Sequence, residues 1–147
     1  TDAIEKEPHM GFGQAISSGF SKYVVWQGRA SRSEFWYWIL FTIIVSLVAS
    51  LLDSLFGFRI YDVGDMDGYA VIYDRFGWVS ALAGLVLFLP TISVSVRRLH
   101  DTNNSGWWWW LQLLNFLCFL GTLILIFVFY IKPSDPGENS YGPPPAA

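Results

Sequence analysis

The chain has 147 residues, a single-domain length, and is 53% hydrophobic and 18% aromatic but only 14% charged, where ordinary soluble domains carry about 25% charged residues. Eight Trp, seven Tyr and twelve Phe are more than one small core buries, so much of the surface needs a solvent other than water. One cysteine excludes a disulfide scaffold, and a net charge of −3 excludes a basic nucleic-acid binder.

In chain order, residues 1–11 form a polar tail. From Phe12, apolar residues recur at Ile16, Phe20 and Tyr23 or Val24 with Gln14, Ser17, Ser18, Ser21 and Lys22 between them. That spacing predicts a short amphipathic helix lying in the membrane surface, made less regular by Gly13 and Gly19 and closed by a turn at Gly28. Ser31-Arg32-Ser33-Glu34 reads as a capping box, in which Ser31 accepts from the Glu34 backbone and Glu34 reaches back to the Ser31 N–H.

Three uncharged stretches follow, each near the roughly 20 residues that cross a bilayer core. They cover about 35–55, 76–96 and 107–131, the first uncharged to Leu52 and running on with Asp53 at the interface, and each ends at charge: Arg32 and Glu34, Asp74 and Arg75, Arg97 and Arg98, then Lys132 before Pro133. The fold class expected is an all-α membrane protein, three transmembrane helices preceded by the interfacial helix. Residues 12–132 make one membrane domain and 133–147 a Pro/Gly-rich tail. Pro90 predicts a kink in the second helix.

Lys22, Arg29, Arg32, Arg97 and Arg98 lie on one side of this frame and Arg59, Arg75 and Lys132 on the other. The excess places the amino terminus in the cytoplasm and the carboxyl terminus outside. Trp36, Trp38 and Trp107 to Trp110 then fall at one interface and read as a headgroup-level belt.

Among polar groups within the spans, Thr42, Thr91, Ser93, Gln112 and Asn115 share the inner-leaflet half. They read as contacts between helices, with a polar solute pathway as the alternative. No span carries an ionisable residue near its middle, which argues against a pump. Arg29, Arg32, Glu34, Arg97, Arg98, His100 and Asp101 are the candidates for binding lipid headgroups or a partner. Asp101 also starts a tight turn with Asn103, Asn104 and Gly106. Asp65, Asp67, Gly68 and Asp74 match part of a calcium-loop pattern, but Val63 stands at its first ligand position, and the segment reads as an acidic turn. No nucleophile–base pair, metal set or cofactor motif is recognised.

Four motifs then combine: Gln27-Gly28-Arg29-Ala30-Ser31-Arg32-Ser33-Glu34-Phe35-Trp36, Arg97-Arg98-Leu99-His100-Asp101-Thr102, Ser105-Gly106-Trp107-Trp108, and Pro136-Gly137-Glu138-Asn139-Ser140-Tyr141-Gly142-Pro143. In this order they resemble the bacterial inner-membrane family known as domain of unknown function 805, over roughly residues 20–145. Asn103-Asn104 and Ser140 depart from its usual pattern. The resemblance implies a multi-pass bacterial plasma-membrane protein and brings no catalytic residues to carry over. The function expected is that of a non-enzymatic interaction subunit of a membrane complex or a small homo-oligomer, with membrane lipids, other subunits or itself as partners. Binding or transport of a small solute or lipid is the alternative.

Overall fold

The computed structural model describes residues 9–57, 77–114 and 120–145, and among these it is helical with no extended strand. The chain divides into two compact units, one formed by Leu40–Leu89 and the other by the segments on either side of it. The acidic segment with the partial calcium-loop pattern and Asn115 lie outside the described residues.

Helix α1 (Phe12–Ser21) is short, and its buried positions are Ala15 and Gly19. The i, i+4 pair of small residues presses against the next helix. A Cβ on Gly19 would overlap the Trp38 ring, and Phe20 meets the same indole edge-on at 5.4 Å. Phe12 packs on Tyr37 at 5.9 Å. Gly19, which sequence alone marks as a weak point of the helix, is therefore its contact point. Gly19→Ala is expected to cost about 1–3 kcal/mol by overpacking, seen as a lower thermal midpoint, while Gly13→Ala meets open space and should be neutral or stabilising.

Helices α2 (Arg32–Phe56) and α3 (Trp78–Asp101) are long and apolar enough to cross a membrane. At ~1.5 Å per residue each exceeds the ~30 Å hydrocarbon thickness. Ser31 accepts from the Glu34 N–H at 3.2 Å, as its capping role requires. At the other end Asp53 is buried and accepts from the Val79 and Ser80 N–H groups, both at 2.9 Å. A carboxylate on a helix N-terminus satisfies otherwise orphaned donors and complements the helix dipole, worth about 1 kcal/mol. This explains an acidic residue near the end of an apolar run. Pro90 is contained within α3, which continues to Asp101. Asn103, at φ 54°, then ends the helix, with the Asn104 N–H returning to Leu99 O at 3.0 Å.

The third apolar segment departs from expectation. It is not one helix over 107–131: Gly106–Leu114 is a 3-10 helix, Leu120–Ile124 a short α-helix (α4), and Leu125–Tyr130 a π-helix. In one straight helix residues 112 and 122 would stand ~15 Å apart. Instead the Thr122 hydroxyl donates to Gln112 Oε1 at 2.8 Å, and the Trp108 and Phe129 rings lie 5.5 Å apart. The described parts on either side of residues 115–119 therefore pack against each other, and Tyr130 returns to Arg98 at the end of α3.

The four consecutive Trp also differ from an α-helical belt. In a 3-10 helix residues i and i+3 eclipse, which is why the Trp107 and Trp110 rings stack at 6.3 Å. Trp38 leaves the belt altogether. It is fully buried, and its indole N–H donates to Thr91 Oγ1 at 3.1 Å.

Candidate functional site

The end of α3 carries Arg97, Arg98 and Asp101, the segment before α2 delivers Arg29 to them, and the first turn of α2 delivers Glu34. All five side chains are buried. Arg29 Nε donates to Asp101 Oδ1 at 2.9 Å, and Arg98 Nη1 donates to Asp101 Oδ2. Arg97 Nη1 donates to Glu34 Oε1 at 2.8 Å, where the Ser18 hydroxyl of α1 also donates at 2.7 Å. Glu34 thus binds two other elements through its carboxylate rather than reaching back to the Ser31 N–H. The Ala30 N–H closes the arrangement by donating to Arg97 O at 3.1 Å.

Arginine suits these positions because its planar fork serves several acceptors at fixed angles. Arg29 uses it on the carboxyl-terminal tail: Nη1 donates to Gly137 O at 2.6 Å and Gly142 O at 3.3 Å, and Nη2 to Asp135 O at 2.5 Å. Arg98 Nη2 donates to Tyr130 O at 3.2 Å and to Lys132 O. The π-helix before it sets that register, since its wider turn, closed by Ile131 N–H to Ile126 O, brings Tyr130 inward. The cluster holds three guanidinium groups against two carboxylates. The last carbonyls of α3 offset part of the difference through the helix dipole. Arg97 Nε and Nη2 make no hydrogen bond among the described residues.

The tail itself docks on His100. The Tyr141 ring lies flat on the imidazole, 3.9 Å away at 4°. Asn139 Nδ2 donates to His100 O at 2.9 Å, and the Asp135 N–H to Asp101 O at 3.2 Å. His100 Nδ1 lies 3.3 Å from Gly28 O, so the turn at Gly28, with φ 83°, is held against the same ring. The tail therefore shares a face with Arg29 and Arg97.

The sequence candidates thus separate into two groups. Arg29, Glu34, Arg97, Arg98, His100 and Asp101 converge, whereas Arg32 sits at the margin and reaches Ile131 O at 3.4 Å. The convergent guanidinium groups face each other's partners and backbone carbonyls, not an open surface. Asp101 serves the arginines rather than the following turn. The intramembrane polar set does not converge. Thr91 accepts from Trp38, Ser93 Oγ bonds Lys22 O at 2.8 Å and Val25 O at 2.6 Å, Gln112 bonds Thr122, and Thr42 O accepts from Ser46 Oγ at 2.8 Å. Ser18, Asn139 and Tyr141 are members that sequence reasoning missed. Their signal was present only as the tail motif, which gives no hint of what it docks on.

The four sequence motifs thus meet at one place. Residues 23–143 match the family described as "Protein of unknown function (DUF805)". The Escherichia coli (strain K12) inner membrane protein YhaH is 40% identical over 123 residues, covering 84% of this chain and 88% of that one. Inner membrane protein YhaI of the same strain is 33% identical over 128 residues, covering 87% and 92%. No solved structure matches. With most of its length matched to the family and to relatives named as inner membrane proteins, the chain belongs to the DUF805 family.

Proposed function

We propose that this protein is a non-enzymatic, multi-pass inner-membrane protein that acts as an interaction subunit, joining a larger membrane complex or a small homo-oligomer. The observation that carries this is the use of its charged residues. Glu34, Asp101 and the three arginines are bonded to one another and to backbone carbonyls in the interior, where they hold structure in place rather than meet a substrate. In the most apolar stretch of α2 only 11% of the residues are buried within the chain, and Leu40, Ile43, Leu47, Leu51 and Leu55 form an exposed ridge along it. A helix with so little of its surface used internally has room for another helix beside lipid.

Both termini are assigned to the cytoplasm. Lys22, Arg29, Arg32, Arg97, Arg98 and Lys132 belong to the platform end, against Arg59 and Arg75 between α2 and α3. A polar solute path through the inner-leaflet residues is the weaker alternative, because Thr91, Ser93 and Gln112 each have a partner inside the chain. Mild cross-linking in native membranes followed by mass spectrometry tests the proposal. A reproducible adduct through the α2 ridge is the expected result, and a strictly monomeric species with no recurrent partner would sink it.

A further inference from the structure

We propose that a cleft beside the platform holds one phospholipid of the surrounding bilayer by its acyl chain, without selecting the headgroup. The cleft encloses about 420 Å³ and is walled by Trp26, Ile92, Val96, His100, Trp107 and Trp110. That volume falls within the range of small-ligand sites, about 300–1,000 Å³.

The walls are almost entirely carbon, so the occupant is apolar where it is held. Few polar groups border the cleft. Ser105 Oγ accepts from the Trp107 N–H at 3.3 Å. With the imidazole proton on Nδ1, facing Gly28 O, His100 Nε2 is a neutral acceptor. None of the six wall residues carries a fixed positive charge, and Arg29 and Arg98 are committed to Asp101 and to carbonyls of the tail. Among the described residues that line the cleft an anionic headgroup therefore meets no fixed positive charge, whereas an acyl chain finds aromatic and branched walls.

The bilayer as the source follows from continuity. Trp107 is 77% exposed and Trp110 52%. They are at once a wall of the cleft and part of the outer apolar surface, which in an inner-membrane protein meets lipid. Indoles at such a boundary present an apolar body to the chain and an N–H to the ester region.

The full chain, extracted from bacterial membranes in a detergent that strips bulk lipid, should retain one phospholipid per chain in native mass spectrometry. Phosphatidylethanolamine and phosphatidylglycerol should be retained in the ratio of the host membrane. Ser105→Phe, which fills the cleft, should reduce occupancy at least ten-fold. Trp26→Ala removes an exposed wall and should also reduce it, which decides the matter if S105F fails to fold. Leu47→Phe, on the exposed ridge of α2, should leave occupancy unchanged. Wild-type protein without bound lipid, undiminished retention in W26A, retention of anionic lipid alone, or an isoprenoid in place of a phospholipid would each overturn the proposal. A monomer that keeps its lipid would reject the interaction role while leaving this site standing.

Discussion

Asp101→Asn is expected to destabilise the folded protein by about 3–5 kcal/mol, the usual cost of removing one partner from a buried ion pair. The amide keeps the shape of the carboxylate, so packing changes little and the effect is electrostatic. Asp101 is fully buried and serves Arg29 through one oxygen and Arg98 through the other. Its neutralisation leaves two interior guanidinium groups with only carbonyl dipoles for compensation, and one amide oxygen cannot replace two charged acceptors. Unfolding in detergent, followed by tryptophan fluorescence, should show a large drop in midpoint. The double variant Asp101→Leu, Arg98→Met should lose less than the sum of its single changes, because it removes a charge of each sign together. A loss below about 1 kcal/mol for D101N would mean that the pair behaves as a surface salt bridge.

Reporter fusions at the two ends should both report the cytoplasm. A fluorescent protein that matures only in the cytoplasm should be bright at the carboxyl terminus, and alkaline phosphatase at the same position should be inactive. The expectation rests on two independent facts. Arg29, ahead of α2, holds Asp135, Gly137 and Gly142 of the tail, so both lie on one face whatever the sign of that face. Six Lys and Arg belong to that end and two to the segment between α2 and α3, an excess that supports the proposed cytoplasmic side. Active phosphatase at the carboxyl terminus would require the third segment to cross the membrane fully, and the Gln112–Thr122 hydrogen bond to break.

The two long helices were legible because their signal is local. Uninterrupted runs without charge, bounded by Glu34 and Asp53 and by Arg75 and Arg97, are properties of consecutive residues. Ser31 was legible as a cap for the same reason. The backbone of the third segment was not legible, because hydropathy counts apolar residues without regard to backbone path. A stretch of 25 such residues satisfies the length of a crossing whether it runs straight or doubles back. Trp38 was misplaced by the same local logic, since nothing near it in sequence reveals that Gly19 leaves room for its ring.

The candidate charges show the division most plainly. Composition and the positions of Arg29, Glu34, Arg97, Arg98 and Asp101 marked where the distinctive residues gather. By itself the sequence determined the membrane setting, the two long helices, the family, and the end of the molecule at which its chemistry is concentrated. Tertiary structure decided what those charges do. Apart from the Arg98–Asp101 pair on α3, each bond that defines the cluster joins residues well separated in the chain, from 16 positions between Ser18 and Glu34 to 113 between Arg29 and Gly142. Burial then makes pairing obligatory, because an unpaired charge away from water costs far more than the bond it forgoes. Helix boundaries follow from short-range pattern. The partner of a buried arginine follows only from the fold that removes it from solvent.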